Sequence, residues 1–342
     1  MCELKVGDIG EKELLKRLQR FCPLEIVGDD GAVMAIQPGQ LLVVTTDVLV
    51  NEVHFSDRTT TPEDAGWRAA AANLSDLAAM GALPLGITVG LGLKSDVSVS
   101  WTERLYQGMT SCLQQYDTSI VGGDVCRSQV ITLAITAFGQ VHPSRVIRRS
   151  TAHVGDAIVV TGVHGASRAG LELLLHPEVG QNLSNAERAA LILAHQRPQP
   201  RLDVLPLLWE VLGIKESLSR PSAPYYRVAG MDSSDGLADA LVQICQASGV
   251  GAKIEQSQIP VPAALKNWVP SSPALEWALY GGEDFELVLC LPPDLATVLV
   301  QKLGNDAAIV GTITPNLEVQ LSDKTGKNPD QVLTLSRGFQ HF

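Results

Sequence analysis

Aromatic residues make up only 5% of this 342-residue chain, and charged residues only 18% against a typical share of about 25%. Little charge beside 45% hydrophobic residues excludes a disordered chain, and few aromatics leave Ala, Val, Leu and Ile to fill a large core. Basic residues are short as well. With 26 Lys plus Arg against 37 Asp plus Glu, the formal charge is -11, which excludes nonspecific nucleic-acid binding because that needs a basic face against phosphate. The six cysteines, Cys2, Cys22, Cys112, Cys126, Cys245 and Cys290, include no pair at CxxC spacing, so neither a zinc site nor a disulfide framework is signalled. The opening MCELKVGDIGEKELL lacks both the apolar core of a signal peptide and the bias of a transit peptide, so a cytoplasmic protein is expected. The longest uncharged run, starting at Leu77, is broken by Gly81, Pro84, Gly86, Gly90 and Gly92, and no membrane segment is expected. The chain also lacks a GxxxxGK[ST] phosphate loop, HExxH, a GxSxG elbow and the protein-kinase HRD and DFG set.

What is present is an alternation of β-branched apolar runs with stretches of helical period, the pattern of mixed α and β layers, at a length that suggests two domains. Strands are expected at LLVVTTD (41–47), PLGITVGLGL (84–93), TSIVGGD (118–124) and VITLAITAFGQV (130–141). Between them, helices are expected over 62–81, entered at Thr61-Pro62 and stopped at Gly81, and over 100–116, capped by Ser100. The Pro and basic cluster of HPSRVIRRSTA (142–152) marks the domain boundary. Beyond it follow a strand at 155–162, helices at 166–175, 184–196, 201–213 and 235–249, and strands at 285–291 and 307–313. KESLSRPSAPYYR (215–227) offers no core face and reads as an insertion.

Carboxylates recur at strand ends or in small-residue turns: GDDGAV (28–33), TTDVLV (45–50), NLSDLAAMG (73–81), VGGDVCRS (121–128), MDSSDGLADAL (231–241) and YGGEDFELV (280–288). An Asp flanked by Gly, Ser or Thr leaves room for a ligand and presents hard oxygen donors, which suit Mg²⁺ bridging carboxylates to phosphates. Each also has a plain structural reading: Asp29 and Asp30 in a turn, Asp124 after a glycine turn, Asp235 as a helix N-cap, Glu283 and Asp284 in a solvated loop, His54 as a packed histidine. Asp76 is hardest to read that way, because it falls inside a helix among Ala and Leu, where an unpaired carboxylate is costly.

In their order, GDDGAV, TTDVLVNEVHF, AAANLSDLAAMGALPLGITVGL, GGDVCRS, MDSSDGLADAL, YGGEDFELV and the ending GFQHF resemble the thiamine-monophosphate kinases, over about Val27 to Phe342. That family shares a superfamily with aminoimidazole ribonucleotide synthetase, selenophosphate synthetase and a hydrogenase-maturation enzyme. Cys2 lacks the Gly-rich setting of the selenophosphate enzyme's reactive residue, and the chain ends without the cysteine-bearing tail of the hydrogenase-maturation protein. The resemblance implies two mixed α/β (α+β type) domains. Residues 1–145 would form a dimerising, metal- and ATP-binding domain that pairs across a homodimer into a β-barrel, and residues 146–342 an α/β domain completing the active site. The implied reaction is direct in-line transfer of the ATP γ-phosphoryl group to thiamine monophosphate, giving thiamine diphosphate with the help of several Mg²⁺ ions. Carried over by position, Asp30, Thr45, Thr46, Asp47, Asp76, Asp124, Asp232 and Asp235 would hold metal, with Asp76 shared between ions and, with Asp124, most critical. Tyr106, Gly123, Asp124, Arg149 and Ser234 would contact ATP, and His54, Glu283 and Phe339 thiamine monophosphate. Ser233 and the length of 215–227 depart from the family pattern without removing an implied ligand. The alternatives are another ATP-dependent enzyme of the superfamily, or a catalytically silent nucleotide or divalent-cation binder; the intact acidic set favours turnover.

Overall fold

A computed structural model describes residues 3–23, 26–27, 31–213, 228–304, 306–324 and 329–338. The expected ligand Asp30, the expected substrate contact Phe339 and the insertion at 215–227 lie outside the described residues. The chain divides into two compact units, Met1–Leu77 with Ala82–His142, and Ala78–Gly81 with Pro143–Phe342. Among the described residues, no helix is long and apolar enough to cross a membrane.

The first unit holds α1 (Val6–Leu18), β1 (Leu41–Val50), α2 (Pro62–Ala79), β2 (Leu83–Leu93), α3 (Val99–Leu113), β3 (Ile120–Arg127) and β4 (Thr132–Val141). Its strands form one sheet in the order β1-β4-β2-β3, antiparallel except between β2 and β3. Period-two alternation is plain in β4, where Leu133, Ile135, Ala137 and Val141 are buried while Ala134, Thr136 and Phe138 are half-exposed. The buried face meets α2, whose Leu77 lies against Gly139 of β4. The other face is apolar and open: Leu42, Val44 and Val48 of β1 are 48%, 53% and 49% exposed, and Leu83 of β2 is 54% exposed. Helix α2 begins with Thr61 and Asp64 bonded reciprocally, Asp64 N–H to Thr61 Oγ1 (3.2 Å) and Thr61 N–H to Asp64 Oδ2 (3.3 Å). It ends at Gly81, whose φ of 73° and whose N–H to Ala78 O (2.9 Å) close the last turn. Helix α3 starts earlier than expected. Its cap is Ser98, which has extended backbone and accepts from Trp101 N (3.1 Å), whereas Ser100 already lies inside the helix and donates to Glu3 (2.6 Å).

The second unit contains β5 (Ala157–Val160), α4 (Ala166–Leu175), α5 (Asn185–Gln196), α6 (Val204–Val211), β6 (Ala229–Asp232), α7 (Leu237–Ser248), β7 (Gly251–Glu255), α8 (Ala263–Trp268), α9 (Ser271–Tyr280), β8 (Leu287–Leu291), α10 (Pro293–Leu303), β9 (Ala308–Thr314), β10 (Val319–Ser322) and β11 (Gln331–Val332). The sheet order is β11-β10-β7-β9-β5-β8-β6. Central β5 and β8 are buried throughout, as their unbroken apolar runs AIVV and LVLCL require. On one side Ile158, Val160, Val288 and Cys290 pack with Leu241 and Ile244 of α7; α10 packs against β5, β8 and β9. A satellite cluster joins α4, α5 and α8 through Ala169, Leu173, Leu191 and Leu265.

Helices α2 and α3 approach backbone to backbone through glycine. A Cβ on Gly108 would stand 1.9 Å from the Glu63 carbonyl oxygen, and one on Gly66 would stand 2.0 Å from that of Leu105. Gly108→Ala is therefore expected to force the helices apart and destabilise the protein by about 2 kcal/mol or more, read as a lower denaturation midpoint at unchanged m-value. An unchanged midpoint would show that the contact yields freely.

Candidate active site

In the first unit, strand alternation sorts the expected metal ligands onto two faces. Thr45 and Asp47 point with Leu49 toward the helix-covered face, where the Thr45 hydroxyl donates to Asp76 Oδ2. Asp76 is half-buried on α2, so the helical carboxylate that was hard to explain from sequence has Thr45 as a partner. Thr46 points to the open face and pairs with Thr136 (2.9 Å between hydroxyl oxygens). Asp124 does not follow a glycine turn; Gly122 and Gly123 are themselves strand residues of β3. Its register partners Gly90, Ala134 and Val48 put it on the open face, and its Oδ1 accepts from Val125 N (2.9 Å). Asp47 and Asp124 thus occupy opposite edge strands, three strand spacings or about 14 Å apart. Among the described residues, no three His, Cys, Asp or Glu side chains converge as a group that could hold a metal ion. The donors themselves are all hard oxygens, Asp76 standing beside Thr45, and that chemistry fits Mg²⁺.

Two expected ATP contacts are brought together. Tyr106 of α3 and Gly123 of β3 line one cavity of about 250 Å³, with Leu15, Cys22, Val27 and Val121 among its apolar walls. Burial pushes the Tyr106 hydroxyl well above its ordinary ionisation range, so it stays protonated. Gly123 also has a packing reason to be glycine, since a Cβ there would lie 2.3 Å from Val89 O. His54 follows β1 in a tight turn in which Glu52 adopts φ 66°. Val50 N–H donates to His54 Nδ1 (3.1 Å), so in the neutral imidazole the proton sits on Nε2.

In the second unit, β6 ends at buried Asp232 and the chain turns through Ser233, Ser234 and Asp235 into α7. Asp235 is not the helix cap: that position belongs to Gly236 at φ 111°, a conformation open to glycine, so Asp235 lies one residue outside the helix. Ser234 Oγ donates to Asp232 Oδ1 (3.3 Å), and Ser234 O accepts from Glu283 N (2.7 Å), which ties the DSSDG turn to the GGED segment. Ser233 is fully buried. Its hydroxyl pairs with His164 Nε2 (3.1 Å), while His164 Nδ1 lies 3.2 Å from Gly162 O. A carbonyl can only accept, so Nδ1 carries the proton and Ser233 donates; burial lowers the His164 pKa to about 4 and keeps the ring neutral.

Glu283 and Asp284 do not form a plain solvated loop. The Glu283 side chain is 34% exposed and lies 3.7 Å from buried His195, but the Asp284 carboxylate accepts from Gly165 N (2.6 Å) and Ser167 N (2.9 Å) at the start of α4. Arg149 follows the predicted boundary and donates to Gln243 of α7 (2.6 Å). Sequence reasoning missed Asp284, His164 and His195 as fixed elements. One signal was there: α4 opens at Gly165, a cap without a side chain, so its N–H groups need an acceptor from elsewhere in the chain.

Two family models match, AIR synthase related protein N-terminal domain over residues 28–141 and AIR synthase related protein C-terminal domain over residues 153–324. The thiamine-monophosphate kinase of Synechococcus elongatus is 53% identical over 345 aligned residues, covering all of this chain and 99% of that protein. A crystal structure of thiamine-monophosphate kinase from Stenotrophomonas maltophilia superposes with a TM-score of 0.73 at 31% identity, over 92% of this chain and 95% of that one. A structure of AaThiL complexed with AMPPCP and TMP covers the whole of both chains, with a TM-score of 0.70 at 30% identity. With that identity over the whole of the chain and both family models matched, this chain belongs to the thiamine-monophosphate kinase family.

Proposed function

We propose that the chain transfers the γ-phosphoryl group of ATP to thiamine monophosphate through the residues assembled above. The activity rests on one observation above the others: 53% identity over the full length of a thiamine-monophosphate kinase, joined by a relative whose structure holds both AMPPCP and TMP. The acceptor is a phosphate oxygen already anionic near neutral pH, so no general base is required. The task left to the protein is to hold two anions in line.

His54 presents its Nε2–H to the thiamine phosphate because Val50 N–H occupies Nδ1. Glu283 accepts from the aminopyrimidine, and Phe339 offers an aromatic face to the thiazolium cation. The Tyr106–Gly123 cavity takes the adenine end of ATP, while Ser234 and Arg149 contact its polar groups. Asp30, Thr45, Thr46, Asp47, Asp76, Asp124, Asp232 and Asp235 would hold Mg²⁺, which when bound would neutralise phosphate charge and help align the transfer. The cysteines among the described residues, scattered and unpaired with one another, suit a cytoplasmic setting.

The first unit serves this chemistry as half of a homodimer. Its apolar open face and its two edge strands, β1 and β3, are what a second copy would cover, closing two four-stranded sheets into one barrel. Closure would set β3 of one protomer beside β1 of its partner, so that Asp124 and the partner's Thr46, both open-face residues, come to line the same side of the barrel wall.

Two outcomes follow. With ATP, Mg²⁺ and thiamine monophosphate the protein forms thiamine diphosphate, and Asp76→Asn lowers kcat by at least about 100-fold without altering its circular dichroism. Turnover equal to the parent would remove Asp76 from the metal set. Sedimentation finds a dimer for the parent and a monomer for Val44→Lys, whose half-exposed site costs the isolated fold little. A Val44→Lys protein that stays dimeric would place the interface elsewhere.

A further inference from the structure

The segment that carries Glu283 is held in an unfavourable backbone. Gly282, Glu283 and Phe285 have φ of 67°, 59° and 53°, and the left-handed region is disfavoured for residues with a Cβ, so it persists only where the surroundings impose it. Asp284 sits between the two strained non-glycine residues. Its Oδ2 accepts from Gly165 N (2.6 Å) and its Oδ1 from Ser167 N (2.9 Å), satisfying opening N–H groups of α4 from 119 and 117 residues away in sequence. From that helix end the chain of contacts returns to Glu283: Ser167 Oγ lies 3.2 Å from His195 Nδ1, and His195 Nδ1 lies 3.7 Å from Glu283 Oε2. His195 occupies the last turn of α5 and is 3% exposed, so its ring is fixed by packing. On the opposite side Glu283 N donates to Ser234 O (2.7 Å). Burial raises the Asp284 carboxyl to about 7 against the pull of its backbone donors, a cost that a residue with no structural task would not carry.

We infer that Asp284 is a positioning residue for the thiamine-phosphate substrate: by clamping the N-terminus of α4 it fixes the left-handed turn and, with Ser167 and His195, aims the Glu283 carboxylate. The inference rests on Glu283 being a substrate contact, as proposed above. An Asn at 284 keeps one accepting oxygen but turns an amide N–H₂ toward the second backbone donor, so the clamp opens with little change in volume.

The test is a double-mutant cycle in the full chain, reading KM for thiamine monophosphate and for ATP separately. Glu283→Gln is expected to raise the thiamine-phosphate KM by about 10-fold or more, the loss of one charge-assisted hydrogen bond. Asp284→Asn is expected to raise it comparably, with the ATP KM within about twofold, and the double variant to be no worse than Glu283→Gln alone. Effects that multiply in the double variant, or an ATP KM that rises alongside, overturn the inference while leaving Glu283 in the site. A silent Glu283→Gln overturns both the inference and the substrate role of Glu283. Should Asp284→Asn fail to fold, His195→Gln enters the same cycle; non-additivity with Glu283→Gln supports the inference, and additivity or a second failure to fold overturns it.

Discussion

A β-strand shows its side chains alternately to two faces, and in the first unit that rule meets a sheet whose order is β1-β4-β2-β3. Thr45 and Asp47 go to the helix-covered face, whereas Thr46 of one edge strand and Asp124 of the other go to the open face. Within one copy, three strand spacings therefore separate Thr46 from Asp124. The same order leaves Leu42, Val44 and Val48 uncovered on β1. Open-face donors split between opposite edges and an exposed apolar face are thus two consequences of one topology, and the proposed pairing with a second copy would answer both.

The second unit meets a different demand. Transfer between two phosphates needs little covalent help, so precision of placement carries the rate. In the proposed site, placement would come from backbone pinned by side chains remote in sequence: Ser233 is held by His164, and the GGED segment by Ser234 and by the opening of α4. Glu286, one residue on from Phe285, is fastened in turn by the Thr161 hydroxyl (2.6 Å) and by Arg201. The turn that presents Glu283 is therefore braced on both sides.

Much of this was legible in the sequence, for identifiable reasons. The runs AIVV and LVLCL and the small-residue helix at 166–175 announce themselves because burial on both faces leaves no alternation to misread. The carboxylate motifs stand out because Gly, Ser and Thr flank them. Cap positions were less legible: Ser98 and Ser100 are chemically equal, and only the extended backbone at 98 decides between them. Asp235 looked like a cap because nothing local shows that Gly236 turns at φ 111°. The short strands β6 and β7 escaped notice, since AGMD and GAKIE pair only with partners far along the chain. Strand order was not legible at all, because β4 enters between β1 and β2 from the end of the unit. Hence the motifs could be found in sequence while their faces and edges could not.

The claim that most depends on this topology is the pooling of Asp124 with the partner's Thr46, and mixing two inactive variants tests it directly. Thr46→Val and Asp124→Asn proteins, each inactive alone, would be unfolded, mixed in equal amounts and refolded so that half of the dimers are heterodimers. In a two-fold dimer each heterodimer then keeps one intact site of two, and the mixture is predicted to recover about a quarter of the parent thiamine diphosphate formation. A mixture as inactive as its components, although heterodimers have formed, would contradict a site built across two copies.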